Sequence, residues 1–232
     1  PKHHTSNGKK DFWARGDGWV LAGLAKVLQD MPKNYRHREF FVRKYQRLAE
    51  AVARIQQPEG YWTRSMMDPE HAPGPETSGT AFFAYGMAWG INNGYLLPCQ
   101  FRPVVDKAWR YLSEVALQPD GRVGYVQPIG EKPDPHRIVD ARSQAPFGTG
   151  AWLRAAAEGA ARRREPRRRS EESPSRDVHA SVSVLPSCRS TFYHIFHADD
   201  SRGGVGLDPK QSPGFIASNG DSRHPTGGVE RD

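Results

Sequence analysis

FWARGDGWVLAGLAKVLQDM, residues 12–31, is the stretch on which the fold turns. From Gly18 onward its apolar residues recur at steps of three and four, which predicts a helix over residues 18–31. Gly79 lies 61 positions after Gly18 and opens a second helix of the same character, predicted over residues 78–92. The turn after the intervening helix repeats at the same step: IQQPEGYW at 55–62 answers ALQPDGRV at 116–123. Longer-sided, more charged helices are predicted between these, over residues 38–56 and 103–117, with Pro103 suited to a first helical position. A fifth helix is predicted over residues 148–159. A helical hairpin recurring about every 60 residues is the pattern of stacked α-hairpins. The helices that open on Gly, rich in small and aromatic residues, form the inner layer; the amphipathic ones form the outer layer. Two and a half hairpins do not close a ring, so further hairpins are expected upstream of Pro1. The expected class is all-α, a partial (α/α)₆ six-hairpin barrel of about five helices out of twelve.

Composition divides the chain. All six Trp fall between Trp13 and Trp152, and residues 1–160 carry the material for a core. Residues 161–232 turn basic and then rich in Ser, Gly and Pro, a composition expected to remain largely disordered. The net charge of +7 comes mostly from residues 162–169, RRREPRRR, where six Arg stand against Glu165. With no aromatic residue among them they read as a solvated run, and no nucleic-acid partner is expected. No apolar run approaches the roughly 18 residues that span a bilayer, so no membrane partner is expected either. Cys99 and Cys188 form no metal-binding spacing, and no disulfide is expected. The histidines are scattered, and neither a metal nor a cofactor is predicted. Residues 1–10 are polar, lack an initiator Met and carry no signal peptide. They read as the middle of a loop, which leaves a cytoplasmic or a periplasmic or secreted location open, and the oligomeric state as well.

Three segments could carry chemistry, each at an inner-helix start. Trp13 and Trp19 flank Arg15 in the first. Indole faces stack on the C–H faces of sugars, a guanidinium grips a carboxylate through a planar fork, and a helix N-terminus favours an anion. The plainer reading is a helix capped by Asp17, with Trp rings in the core. In the second segment, Glu76 could take a sugar hydroxyl, with Ser78 beside it; the plainer reading is capping by Thr77 or Ser78. Ser143–Gln144 and the residues up to Gly150 form the third, where capping alone also suffices. Loops gathered at one end of a rigid scaffold are a common place for an active site.

FWARGDGWVLAGLAKVL, GYWTRSMMDPEHAPGPETSGTAFFAYGMAWGINNGYL and FGTGAWLRAAAE together resemble glycoside hydrolase families 88 and 105, the unsaturated glucuronyl and rhamnogalacturonyl hydrolases, over roughly residues 1–160. Asn92-Asn93-Gly94 and the long PEHAPGPETSGT loop favour the rhamnogalacturonyl branch. The resemblance implies a twelve-helix (α/α)₆ barrel. It implies substrates left by polysaccharide lyases, whose terminal uronyl ring carries a C4–C5 double bond. Enzymes of this kind hydrate the double bond with an Asp as general acid and base, and the resulting hemiketal collapses to release the sugar. By the same resemblance Trp13, Arg15 and Trp19 line the uronyl subsite, with Glu76 and Ser78 as further substrate-binding candidates. The catalytic Asp of the family lies upstream of the Trp-Ala-Arg-Gly motif, so no catalytic residue is assigned here; it is expected in a missing N-terminal half, as is a His-containing loop. Asp17, held by capping and the helix dipole, is expected to have a lowered pKa and to be a poor acid. After Glu158 the family pattern would continue apolar; the Arg run that replaces it is read as the product of a shifted reading frame. The rival readings are a non-catalytic carbohydrate-binding remnant and a helical-repeat interaction protein.

Overall fold

The structure, a computed structural model, describes residues 3–164. Five α-helices follow one another: α1 Ala14–Asp30, α2 Arg38–Ala53, α3 Thr77–Asn92, α4 Pro98–Tyr111 and α5 Pro146–Arg164, with one π-helical turn, Leu112–Ala116, continuing α4. Among the described residues there are no strands, only isolated bridges. α3 packs against α1 on one flank and α5 on the other; α2 lies against α1, and α4 against α3. Helices α1, α3 and α5 therefore form one row and α2 and α4 a second, the arrangement of a partial (α/α)₆ barrel. No helix among the described residues is long and apolar enough to cross a membrane.

The 61-residue repeat has a literal counterpart in the turns. Gln57 N–H donates to Tyr61 O (2.9 Å) and Gly60 N–H to Gln57 O (2.9 Å); one repeat later Gln118 N–H donates to Arg122 O (2.8 Å) and Gly121 N–H to Gln118 O (2.9 Å). Gly60 and Gly121 take φ of +100° and +84°, a region open to Gly at little cost.

Small residues on α3 set how close its neighbours come. A Cβ on Gly79 would lie 2.6 Å from the Ala14 carbonyl carbon, and one on Gly18 would lie 3.3 Å from Gly79 Cα, so α1 and α3 touch backbone to backbone at their starts. Gly86 receives Leu21 of α1, and Gly90 receives Tyr45 of α2. The Tyr45 hydroxyl donates to Gly86 O at 2.6 Å, so this buried polar group is satisfied. Trp62, fully buried, meets Phe83 edge-on at 5.0 Å and donates its indole N–H to Val52 O.

Several boundaries differ from the sequence reading. α1 begins at Ala14 rather than 18, α4 at Pro98 rather than Pro103, and α5 spans 146–164 rather than 148–159. Pro103 sits inside α4. Asp17 is not a cap: Trp13 holds that position with no side-chain cap bond. Nor do Thr77 or Ser78 cap α3; Glu76 does, its longer side chain curling back to accept the Gly79 N–H. The expectation of no disulfide concerns Cys99 and Cys188 together, and so cannot be read from the described residues alone. Cys188, the tail beyond 164 and its expected disorder lie outside the described residues.

Candidate functional site

The site begins with backbone. Residues 62–66 run between the starts of α1 and α3. Ala14 N–H donates to Arg64 O (3.0 Å) and Met66 N–H to Phe12 O (2.9 Å) on one side; Glu76 N–H donates to Trp62 O (3.0 Å) on the other. This short connection holds Arg15, on the first turn of α1, against Glu76 and Ser78 at the start of α3. The side chains then close on one another: Arg15 Nε donates to Ser78 Oγ (2.8 Å) and Arg15 Nη2 meets Glu76 Oε1 at 3.3 Å. Ser78 Oγ lies 2.8 Å from both Glu76 oxygens. Gly79 N–H (2.6 Å) and Gln127 N–H (3.3 Å) also donate to Glu76.

Arg15 is 1% exposed and Glu76 0%, so this is a buried ion pair, stable only because the surrounding donors and acceptors are matched. The guanidinium is also sandwiched between two rings, 4.7 Å from the Trp13 centroid and 4.3 Å from that of Phe147 at the start of α5. Two further donors go to the carbonyls of Gln127 and of Pro128 (3.3 Å). Burial pulls the Arg15 pKa down, and the charge of Glu76 works against that pull.

Four predicted site residues, Trp13, Arg15, Glu76 and Ser78, are thus brought together. Trp19 stands apart from the ion pair, one turn along α1 and 52% exposed. The Trp13 indole N–H is buried without a partner among the described residues. Asp17 corrects the sequence reading: burial raises its pKa from 3.8 to about 6, because loss of solvation disfavours the charged form. The expectation of a lowered value took the helix dipole into account and missed the desolvation.

Other residues escaped the sequence reading. Arg64, 3% exposed, donates to Asp134 O (2.6 Å), Arg137 O (2.9 Å) and Pro73 O (2.7 Å). It lies within the quoted GYWTRSMMD segment, but nothing local marks it. Gln127 and Pro128 act through backbone carbonyls, which leave no trace in side-chain patterns. Tyr125 has φ +58° and presents its carbonyl to Thr77 N–H at the start of α3 (3.0 Å). Among the described residues no group of His, Cys, Asp or Glu is arranged to hold a metal ion.

An all-helical array of hairpins in two rows is the architecture of six-hairpin glycosidases. The profile of Glycosyl Hydrolase Family 88 matches residues 1–162, and the chain belongs to that family. A relative from Formosa agariphila, an unsaturated 3S-rhamnoglycuronyl hydrolase, is 44% identical over 152 residues, covering 66% of this chain and 39% of its own length. A solved family 88 structure from Bacteroides vulgatus is 56% identical with a TM-score of 0.67, over 69% of this chain and 46% of that one. Another solved chain, described as a polysaccharide lyase, is 62% identical with a TM-score of 0.68, over 72% and 47% respectively. Family 105 structures from Salmonella enterica, Klebsiella pneumoniae and C. acetobutylicum share the fold at 22–24% identity, with TM-scores of 0.54–0.57. The chain spans about two fifths of the length of the curated relatives it matches.

Proposed function

We propose that this chain carries the substrate-holding part of a hydrolase that removes a terminal unsaturated uronyl residue from lyase-generated oligosaccharides of the rhamnogalacturonan type. The uronyl ring stacks at Trp13 and Trp19 and its carboxylate is held by Arg15. The carboxyl group that protonates the double bond is supplied by residues outside this chain. The carrying observation is the direct contact of Arg15 with Ser78 and Glu76, which joins the Trp-Ala-Arg-Gly and Glu-Thr-Ser-Gly segments into one cluster. The carbonyls of Gln127 and Pro128 use guanidinium donors that a uronate would take, so ligand entry requires them to yield. Glu76 and Ser78 then act on the ligand by orienting Arg15.

The step itself is a hydration. A proton is delivered to C4, water adds at C5, and the hemiketal opens with loss of the attached sugar. A general acid must reach the reacting atom at about 2.6–3.2 Å, or through one water, with a pKa near the working pH. A second reading has one specific observation behind it: Asp17, half-buried with its pKa at about 6, is itself suited to proton transfer.

The assay is loss of absorbance from the conjugated double bond. The purified chain is expected to leave unsaturated rhamnogalacturonyl and digalacturonyl substrates unconsumed, and to gain activity when the N-terminal part of a complete homologue is supplied. Consumption by the chain alone that Asp17→Asn abolishes would instead locate the acid at Asp17.

A further inference from the structure

Two guanidiniums are buried where the starts of α1 and α3 meet the connection 62–66, and the charge of one buried carboxylate, Glu76, reaches both. Arg15 meets it in an ion pair. Arg64 does not: among the described residues no carboxylate comes into ion-pair contact with it. The main-chain carbonyl of Arg64 receives the Ala14 N–H, one residue before Arg15. Its side chain, 3% exposed, donates only to backbone carbonyls, those of Pro73, Asp134 and Arg137. The Arg64 Nε–H is buried with no partner among the described residues.

A guanidinium keeps its proton inside a protein, so Arg64 carries its charge into the interior. Burial pulls its pKa down, and the charges of Asp134 and Glu76 oppose that pull. Asp134 is open to water and pairs with Arg137 at 3.6 Å, so its charge is screened and shared. Three guanidiniums, of Arg15, Arg64 and Arg137, thus stand against two carboxylates, of Glu76 and Asp134. The positive charge left over is costly to hold away from water.

Holding the loop does not require that charge. Gln127 braces the same loop with a neutral amide: Nε2 donates to Lys132 O (3.0 Å) and Oε1 accepts from Asp134 N–H (3.1 Å). What a cation adds, and an amide cannot, is a field. In a water-poor interior that field is weakly screened, and an anion arriving at Arg15 enters it. Such an anion also neutralises the excess charge, which makes the arrangement cheaper when it is occupied than when it is empty.

We propose that Arg64 sets the charge specificity of the site: without touching the ligand, its buried guanidinium makes the site select an ionised carboxylate over a neutral group of the same shape. This rests on the reading of Trp13, Arg15 and Trp19 given above. The test uses the full 232-residue chain and two probes that differ by one charge, the methyl glycoside of the unsaturated uronic acid and its methyl ester. Titration calorimetry is expected to show that the chain prefers the acid. Arg64→Met is expected to lower the ratio of the two affinities about tenfold, by weakening the acid and leaving the ester within about twofold. Arg64→Lys keeps the charge and gives up the planar fork, and is expected to hold the ratio within about threefold of the parent chain. Arg64→Gln takes the place of Arg64→Met if circular dichroism shows the latter unfolded. Equal weakening of both probes by the neutral variant, or a Lys variant that loses the ratio as fully, makes the role structural and overturns the proposal; so does failure of both neutral variants to fold. An acid preference that survives Arg64→Met overturns the proposal alone. A folded parent chain that takes up neither probe overturns the terminal-ring reading and the proposal with it.

Discussion

Helices α1 and α3 start one repeat apart and touch at Gly18 and Gly79, yet they have different fates. α3 buries fourteen of its sixteen residues, α1 only seven of seventeen. α3 has no charged side chain along its length and is enclosed by α1, α5, α2 and α4. α1 carries Arg15, Asp17, Lys26 and Asp30 and leaves Trp19, Val20 and Val27 about half exposed. The lesson is that equivalent repeat positions share a start geometry, while place in the row decides which faces are covered.

The contrast is most severely tested at the ion pair that ties the two starts together. Glu76→Ala is expected to cost about 3–5 kcal/mol in urea unfolding, since it leaves the Arg15 guanidinium buried without its partner. A loss below about 1 kcal/mol would mean that the Gln127 and Pro128 carbonyls alone suffice for Arg15. Next comes the glycine pair. Gly79→Ala forces a Cβ onto the Ala14 backbone and is expected to cost about 1–3 kcal/mol. Gly23→Ala on α1 meets nothing within 4 Å and is expected to stabilise by about 0.5–1 kcal/mol through helix propensity. Equal effects at the two positions would erase the distinction between the helices.

Asp17 supplies a pH-dependent test. Its carboxyl ionises near 3.8 in the unfolded chain and about 6 in the folded one, so the unfolded state gives up the proton first. Stability therefore falls as pH rises between those values, and above them the penalty is complete. Asp17→Asn is expected to stabilise by about 1–2 kcal/mol at pH 7.5, discounted for partial exposure, and by nothing at pH 3. A gain unchanged between those pH values would point to a cause other than ionisation. The smallest effect belongs to the open flank: Val20→Lys is expected to change stability by no more than about 0.5 kcal/mol. A loss above about 2 kcal/mol would show that something covers that face.

The helices were legible because periodicity and Gly placement are local properties. The repeated QPEG and QPDG turns could be read for the same reason, and so could the layering they imply. What escaped was set at long range. α1 starts four residues early because Ala14 N–H finds Arg64 O, a partner fifty positions away. The clustering of Trp13, Arg15, Glu76 and Ser78 could be anticipated from their shared place at helix starts. Trp19 is grouped with them by proximity along the chain; it lies one turn further along α1 and is half exposed. The contribution of residues 125–137 is made by carbonyls and bent backbone, to which one-letter patterns are blind.

The left-handed Tyr125 has a bearing on the order of events in folding. Its carbonyl engages Thr77, its N–H engages Asp140, and the residues after it are held by Arg15 and Glu76 from more than fifty positions away. Closing such long loops is entropically slow, whereas the helices form from neighbours. The segment around Tyr125 is therefore expected to be among the last to set and the first to open, and its amides should exchange with solvent ahead of those of α3. Each such opening withdraws two carbonyls from Arg15 and bares its donors for a moment. The same slow-setting segment would then time the access of an anionic ligand to the guanidinium.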